Sequence, residues 1–199
     1  MGAYTRIPAD TFQQIQTDAG ILLYAFDPAN PKNIKDEDII CPTTGGVTAA
    51  CVPTYSDMGE DVDNCPANLL ELKHLDSYDC SLQFTSLGTT PKSIRLALGA
   101  ADIDTNDPTH IIPRRELKVS DAQDVWWVGD RADGGAVAVQ LKKALSTSGF
   151  SLKTTKSGKG NTAVTLTGHV TVETQGEVPM EFWSIEQEKS EGTEEEPIE

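Results

Sequence analysis

The sequence predicts a mainly β protein, an antiparallel β-sandwich or partly closed barrel with one flanking α-helix at about residues 90–99 and long loops. Three observations predict it. Apolar and polar residues alternate with period two in several segments, which sets one face of a strand against a core. Clusters of Gly, Asn, Asp and Ser separate these segments, as hairpin turns require. One window carries both a helix start signal and a helix stop signal.

Taken in chain order, residues 21–26 (ILLYAF) are an apolar strand candidate. Residues 27–46 are rich in Pro, Asp, Gly and Asn and read as a long loop. Residues 46–55 are extended, with Pro53 pointing to an edge or a bulge, since proline cannot donate to a central ladder. Residues 56–66 (SDMGEDVDNCP) form an acidic loop, and Asn64, Pro66 and the run 69–72 suggest a short second helix. Residues 74–85 read as a strand with Tyr78, Cys80, Leu82 and Phe84 on one face. Thr90 is an N-cap, Pro91 fits the first helical position and Gly99 ends the helix; Ile94, Ala97 and Leu98 form its apolar stripe. Val125-Trp126-Trp127-Val128 is apolar on both faces and predicts a strand covered on both sides. A turn at 133–135 leads to a strand with Val137, Val139, Leu141 and Leu145 on one face. Residues 150–155, a turn at 157–161, a long alternating strand from Val164 to Val172 and a last strand through Phe182 and Trp183 complete an antiparallel meander. The whole of 1–185 reads as one domain.

Charge narrows the function. The chain of 199 residues carries 31 acids and 16 bases, a net of -15. Residues 186–199 hold seven Glu and one Lys, leaving a net of -9 on the body. With a single Ile and no aromatic, that end cannot bury enough surface to offset chain entropy and reads as a disordered acidic tail. A nucleic-acid reader draws its affinity from Lys and Arg, and an anionic membrane surface attracts basic segments, so neither is an expected binding partner. The first residues lack the ~7–15-residue apolar core of a secretory signal, and no apolar run of ~18 residues predicts a membrane span.

Motifs for chemistry are weak. Asp102, Asp104 and Asn106 start a calcium-loop pattern, but Asp107 replaces its glycine and Pro113 its closing glutamate. The glycine-rich stretch 157–160 is a hairpin turn, not a phosphate loop. Cys41, Cys51, Cys65 and Cys80 show no C-x-x-C spacing and read as reduced, small apolar side chains. His74, His110 and His169 are scattered, with His169 on the Thr face of its strand. No catalytic residue, metal ligand or cofactor is expected.

Several blocks in order resemble one family. They are IPADTFQQIQTDAGILL near the start, TTGGV at 43–47, PTYSDMGEDVDNCP at 53–66, LKHLDSYDCSL at 72–82, IIPRRELKVSDAQDVWWVGD at 111–130, LKKALSTSGFSL at 141–152, GKGNTAVTLTGHVTVE at 158–173 and VPMEFW at 178–183. Together they cover about residues 5–185 and resemble the major tail tube proteins of long-tailed bacteriophages and prophages of Gram-positive bacteria. The Glu-rich end lies outside the resemblance.

The resemblance implies a non-enzymatic virion protein made in the host cytoplasm. Six copies close into a ring whose inner strands form a barrel, and rings stack into a tube that carries the genome during ejection. Partners are then further copies of the chain and the tip and terminator proteins of the tail, with DNA passing through unbound. The N-terminal arm and loops 27–46 and 56–66 make the contacts. The expected contact residues are Asp57, Glu60, Asp61 and Asp63 on the acidic loop and Arg114, Arg115 and Lys118 on a basic patch. The expected lumen residues are Asp79, Ser81, Gln83 and Thr85, or Thr165, Thr167 and Thr171. A closely allied expectation is the inner tube of a contractile or secretion-type injection machine. A rival from another class is a monomeric ligand- or carbohydrate-binding β-sandwich with Trp126, Trp127 and Trp183 as its platform.

Overall fold

The computed structural model describes residues 11–186 together with residues 4, 7 and 8. The acidic end beyond Glu186 and most of the arm before residue 11 lie outside the described residues.

Among the described residues the strands are β1 (Ile21–Leu23), β2 (Thr43–Asp57), β3 (Lys73–Ser86), β4 (Ala101–Ile103), β5 (Ile111–Pro113), β6 (Gln123–Asp130), β7 (Ala136–Ser146), β8 (Leu152–Lys153), β9 (Asn161–Thr167) and β10 (Met180–Ile185), with helix α1 (Pro91–Leu98) between β3 and β4. The hydrogen-bonded order is β1-β6-β7-β9-β3-β2, with β10 also paired to β7 and β8 to β9; all pairings are antiparallel. A separate β4-β5 ribbon lies beside α1.

The continuous sheet folds over at β7. The first part of β7 pairs with β6 and β10, and its last two residues pair with β9. Between these parts Lys143 has φ 47°, a left-handed conformation that breaks the pleat, and its N–H is held by Asp124 Oδ1 at 3.0 Å. A strand that changes sheets needs such an irregular residue at the corner. The result is a sandwich with one layer of β1, β6, β7 and β10 and a second of β2, β3, β9 and β8. Its core joins Leu22, Val125, Val139 and Leu141 from the first layer to Cys80, Leu82, Phe84, Val164 and Leu166 from the second, with Ala97 of α1 closing one side. Five of the largest side chains here, Leu22, Leu82, Val125, Leu141 and Leu166, are wholly excluded from solvent, and each such burial contributes about 1.5–3 kcal/mol.

The two-sided strand at 125–128 is present: β6 lies between β1 and β7, with Val125 in the main core and Trp126 and Val128 in a second cluster on the other face. The helix forms where its caps predict. The Thr90 hydroxyl accepts the Ser93 N–H at 3.2 Å, and Gly99 closes the helix at φ 73°. Its stripe is rotated from the expected one. Ser93 and Ala97 are buried, Leu96 packs on the core, and Ile94 and Leu98 stay half-buried.

Other expectations need correction. β1 ends at Leu23, because the Tyr24 N–H turns to the Asp38 carbonyl and Phe26 leaves the strand to cover the second cluster. The long loop stops at residue 42, where β2 begins, and the second helix is a single 3-10 turn at Leu70–Leu72. The alternating strand does not reach Val172. β9 stops at Thr167, and Gly168 presses so close to Leu141 that a Cβ there would sit 2.7 Å from Leu141 Cδ1. The chain leaves the sheet, so Val170 and Val172 are exposed and Thr171 lies in a turn, its N–H bonded to Thr174 Oγ1 at 2.9 Å. Thr171 is therefore not a strand position, and His169 is not on a strand face; its Nδ1 is 3.3 Å from the Lys143 carbonyl.

Candidate functional site

The outer face of the second layer follows from strand alternation. Cys80, Leu82 and Phe84 of β3 point into the core, so Asp79, Ser81, Gln83 and Thr85 point out. Val164 and Leu166 of β9 point in, so Thr165 and Thr167 point out. Register then aligns them, with Ser81 opposite Thr167 and Gln83 opposite Thr165. On the other side of β3, Thr48, Ala50 and Val52 of β2 stand opposite Gln83, Ser81 and Asp79. The Thr147 hydroxyl adds to the same surface, 3.2 Å from that of Thr167. The structure thus gathers Asp79, Ser81, Gln83, Thr85, Thr165 and Thr167 on one surface and leaves Thr171 out.

This face is small, polar and nearly neutral. Over the outward positions of residues 79–85 and their partners Thr48, Ala50, Val52, Thr165 and Thr167 the sole charge is Asp79, with no lysine, arginine or aromatic side chain; outside that stretch Asp76 is bonded to Ser56 further along the β2-β3 pair, and Lys153 of β8 stands opposite Asn161. Such a wall offers water and counterions a hydrated surface and offers a phosphate chain no cation.

The edges of this layer are unlike. β2 is the last strand on one side, 15 residues long, and pairs only with β3. On the other side β9 is partly covered by the two-residue β8 and by the end of β7. Unpaired backbone along a long edge is a ready template for another strand.

β2 and β3 also outrun their neighbours. β9 pairs with β3 only over Ser81–Ser86, whereas β2 follows β3 down to Asp57 opposite Lys73. Beyond Cys51 and Cys80 the pair is a free two-stranded arm, an arrangement of marginal stability by itself. Val52, Tyr55, Met58, Val62, Leu70 and Leu75 are exposed on the arm and its tip, Leu70 to 80%. The expected acidic contacts lie at this tip. Glu60, Asp61 and Asp63 are exposed. Asp57 is half-buried and ties the turn, its Oδ1 accepting the Gly59 N–H at 3.0 Å.

The basic patch is divided. Arg114 is not a free surface cation. Its Nε is 2.6 Å from Asp102 Oδ2, its Nη2 is 2.5 Å from Asp121 Oδ1, and its Nη1 donates to the Glu116 carbonyl at 2.7 Å, with its side chain only 15% exposed. It binds the β4-β5 ribbon to the following 3-10 turn. Arg115 and Lys118 remain exposed and available. Spacing in the sequence could not reveal this, because the acids that hold Arg114 come from strand β4 and from the 3-10 turn Val119–Asp121.

Burial alone would raise the Asp121 carboxyl. The Lys118 N–H and the Arg114 guanidinium more than offset it and hold its pKa below the ordinary carboxylate value.

The aromatic platform is not assembled. Trp126 and Trp127 point to opposite faces of β6. Trp126 packs against Trp183 with the rings tilted by 37° and centroids 4.8 Å apart, and is flanked by Phe26 at 5.5 Å. The Trp127 Nε1–H donates to the Ala19 carbonyl at 3.0 Å. That bond needs Gly20, which has φ 66° and would place a Cβ 2.5 Å from the indole nitrogen. Two of the clefts among the described residues are candidates for a ligand. One of about 250 Å³ beside α1 is lined by Tyr24, Lys92, Arg95, Gln123 and Ser146; a wider one of about 780 Å³ lies between residues 28–33 and the 134–136 turn. Neither is lined by a tryptophan.

The calcium-like loop is held by protein donors instead. Asp102 pairs with Arg114, Asp104 accepts the Asn106 N–H at 2.9 Å, and Asp107 accepts the Thr109 hydroxyl at 2.6 Å. Among the described residues no three His, Cys, Asp or Glu side chains are placed to hold a metal ion, and no helix is long and apolar enough to cross a membrane. One juxtaposition escaped the sequence reading: the Cys51 and Cys80 sulfurs, 29 residues apart in the chain, are 3.5 Å from each other.

Comparison with protein-family models and with curated proteins gives no match for this chain.

Proposed function

We propose that this chain is a structural, non-enzymatic protein that assembles with copies of itself into a tube, in the manner of the phage tail tube proteins its sequence resembles. In that reading six copies form a ring, rings stack, the tube belongs to a virion, and it conducts duplex DNA without binding it.

The observation that carries the reading is the outer face of the β2-β3-β9 layer. A sheet face whose central stretch, residues 79–85 with their β2 and β9 partners, holds one carboxylate and no cation suits a wall along which a polyanion must slide. Duplex DNA carries a charge every ~1.7 Å, and a basic wall repeated over many rings would trap it. Further support comes from the edges and the arm. A ring with head-to-tail contacts uses two different surfaces on each subunit. The long free edge of β2 and the short β8 side of the same layer supply two such surfaces, and pairing them between neighbours continues the sheet. The arm, with exposed apolar side chains and an acidic tip, reaches past the sandwich and suits contact with an adjoining subunit or ring.

Self-association tests the reading. Sedimentation of the full chain over a wide concentration range is expected to move from monomer to a hexamer and then to larger species. A single monomer boundary at every concentration overturns it and favours the monomeric ligand-binding alternative.

A further inference from the structure

We propose that Cys51 and Cys80 form a latent disulfide site that staples the root of the β2-β3 arm when the protein meets a small-molecule disulfide oxidant.

The geometry is already set. The two residues are directly opposite one another on β2 and β3, and both are free thiols. Directly opposed residues on antiparallel strands have Cα atoms about 4.5–5.5 Å apart, which falls within the ~4.4–6.8 Å span of disulfides. The sulfurs stand 3.5 Å apart, and a disulfide would bring them to about 2.05 Å.

The two thiols differ in access. Cys80 is 2% exposed and sits in the core, while Cys51 is half-buried at the edge strand. Burial first, then the adjoining Cys51 thiol and the Asp79 carboxylate, push the Cys80 thiol up to about 12, so it is protonated at neutral pH and does not begin exchange.

The chemistry is an exchange between thiols and a disulfide such as oxidised glutathione. Cys51, as the thiolate, attacks one sulfur of the oxidant. The oxidant's S–S bond breaks, one glutathione thiolate leaves, and Cys51 carries a mixed disulfide. Cys80 gives its proton to water, attacks the Cys51 sulfur and expels the second glutathione thiolate. Two protein thiols are oxidised and one oxidant disulfide is reduced to two thiols.

The location gives the bond its consequence. Cys51 and Cys80 form the first pair beyond the Ser81–Ser86 stretch where β9 supports β3. A bond there fixes the free edge strand where the three-stranded sheet becomes a two-stranded arm. In a reducing cytoplasm the arm is held by hydrogen bonds, those of the backbone and that of the Ser56 hydroxyl to the Asp76 carboxylate; in an oxidising medium it is covalently tied. The inference stands on the thiol pair and does not rest on the tube reading.

The test uses the full chain incubated with oxidised glutathione, then alkylation of remaining thiols and non-reducing peptide mapping by mass spectrometry. The expected product is one intramolecular linkage joining the Cys51 and Cys80 peptides, with Cys41 and Cys65 still alkylated. In Cys51→Ser, which changes only the half-buried partner, the linkage is absent and Cys80 stays a thiol. Amide exchange over residues 52–57 is expected to slow by roughly an order of magnitude in the linked form. A stable mixed disulfide on Cys51 with Cys80 still free, a linkage through Cys41 or Cys65, or unchanged exchange across the arm after linkage would overturn the proposal.

Discussion

Gln83 of β3 stands directly opposite Thr165 of β9 on the outer face of the second layer, and neither has a cation beside it on that surface. If this face lines a lumen, adding charge here changes how the tube treats DNA and leaves the core intact. The double variant Gln83→Lys, Thr165→Lys is expected to assemble and to retain duplex DNA at about 50 mM salt, releasing it as salt rises to about 200 mM, because each lysine neutralises phosphate by counterion release. The unaltered protein should retain none under either condition. Co-sedimentation of assembled material with labelled DNA reads both.

Leu70 is 80% exposed at the arm tip, so its replacement removes little folded-state packing. Leu70→Asp should change unfolding free energy by no more than about 0.5 kcal/mol while preventing association beyond the smallest species. Denaturant titration and sedimentation of one preparation separate the two effects. A variant that assembles normally removes the arm tip from the contact set.

Arg115 and Lys118 are the exposed members of the basic patch. Reversing both to Glu should weaken assembly at low salt while the monomer keeps its thermal midpoint, since paired surface charges set register and association rate more than stability. Light scattering against salt concentration is the measurement. Arg114→Glu is a different experiment, because Arg114 is bound inside its own chain.

Asp121 gives the stability counterpart. Its side chain is 2% exposed and pairs with Arg114, so Asp121→Ala leaves Arg114 with Asp102 as its one carboxylate partner and the Lys118 N–H without its acceptor, and should cost about 1–3 kcal/mol in denaturant unfolding. The pH sign follows from its depressed pKa. The contribution is complete above the unfolded aspartate value of about 3.9 and is lost as pH falls through the lower folded value. The acid limb of the stability curve should therefore be flatter in the variant than in the parent.

Much of the fold was legible because local rules and tertiary context agree. The caps of α1 lie within ten residues, and the inward set Cys80, Leu82 and Phe84 alternates without interruption. The failures have physical causes. The alternation through Val170 and Val172 continues in the sequence, but Gly168 marks a close approach to Leu141 that turns the chain away. Lys143 has no local sign that a lysine will take a left-handed conformation; the corner between layers demands it. The polar face was visible as two unassigned strand faces, and only register joined Ser81 to Thr167. The engagement of Arg114 and the Cys51-Cys80 pair depended on contacts between distant segments, which periodicity cannot carry.

The central claim is that copies of this chain build a tube with the β2-β3-β9 face inward. Electron microscopy of the purified full-length protein, with class averages viewed along the particle axis, tests it most directly. The account predicts sixfold rings with an open centre that stack into tubes of uniform width, and a Gln83→Cys label located on the inner wall. Small featureless particles at every concentration, or tubes carrying that label on the outside, would contradict it.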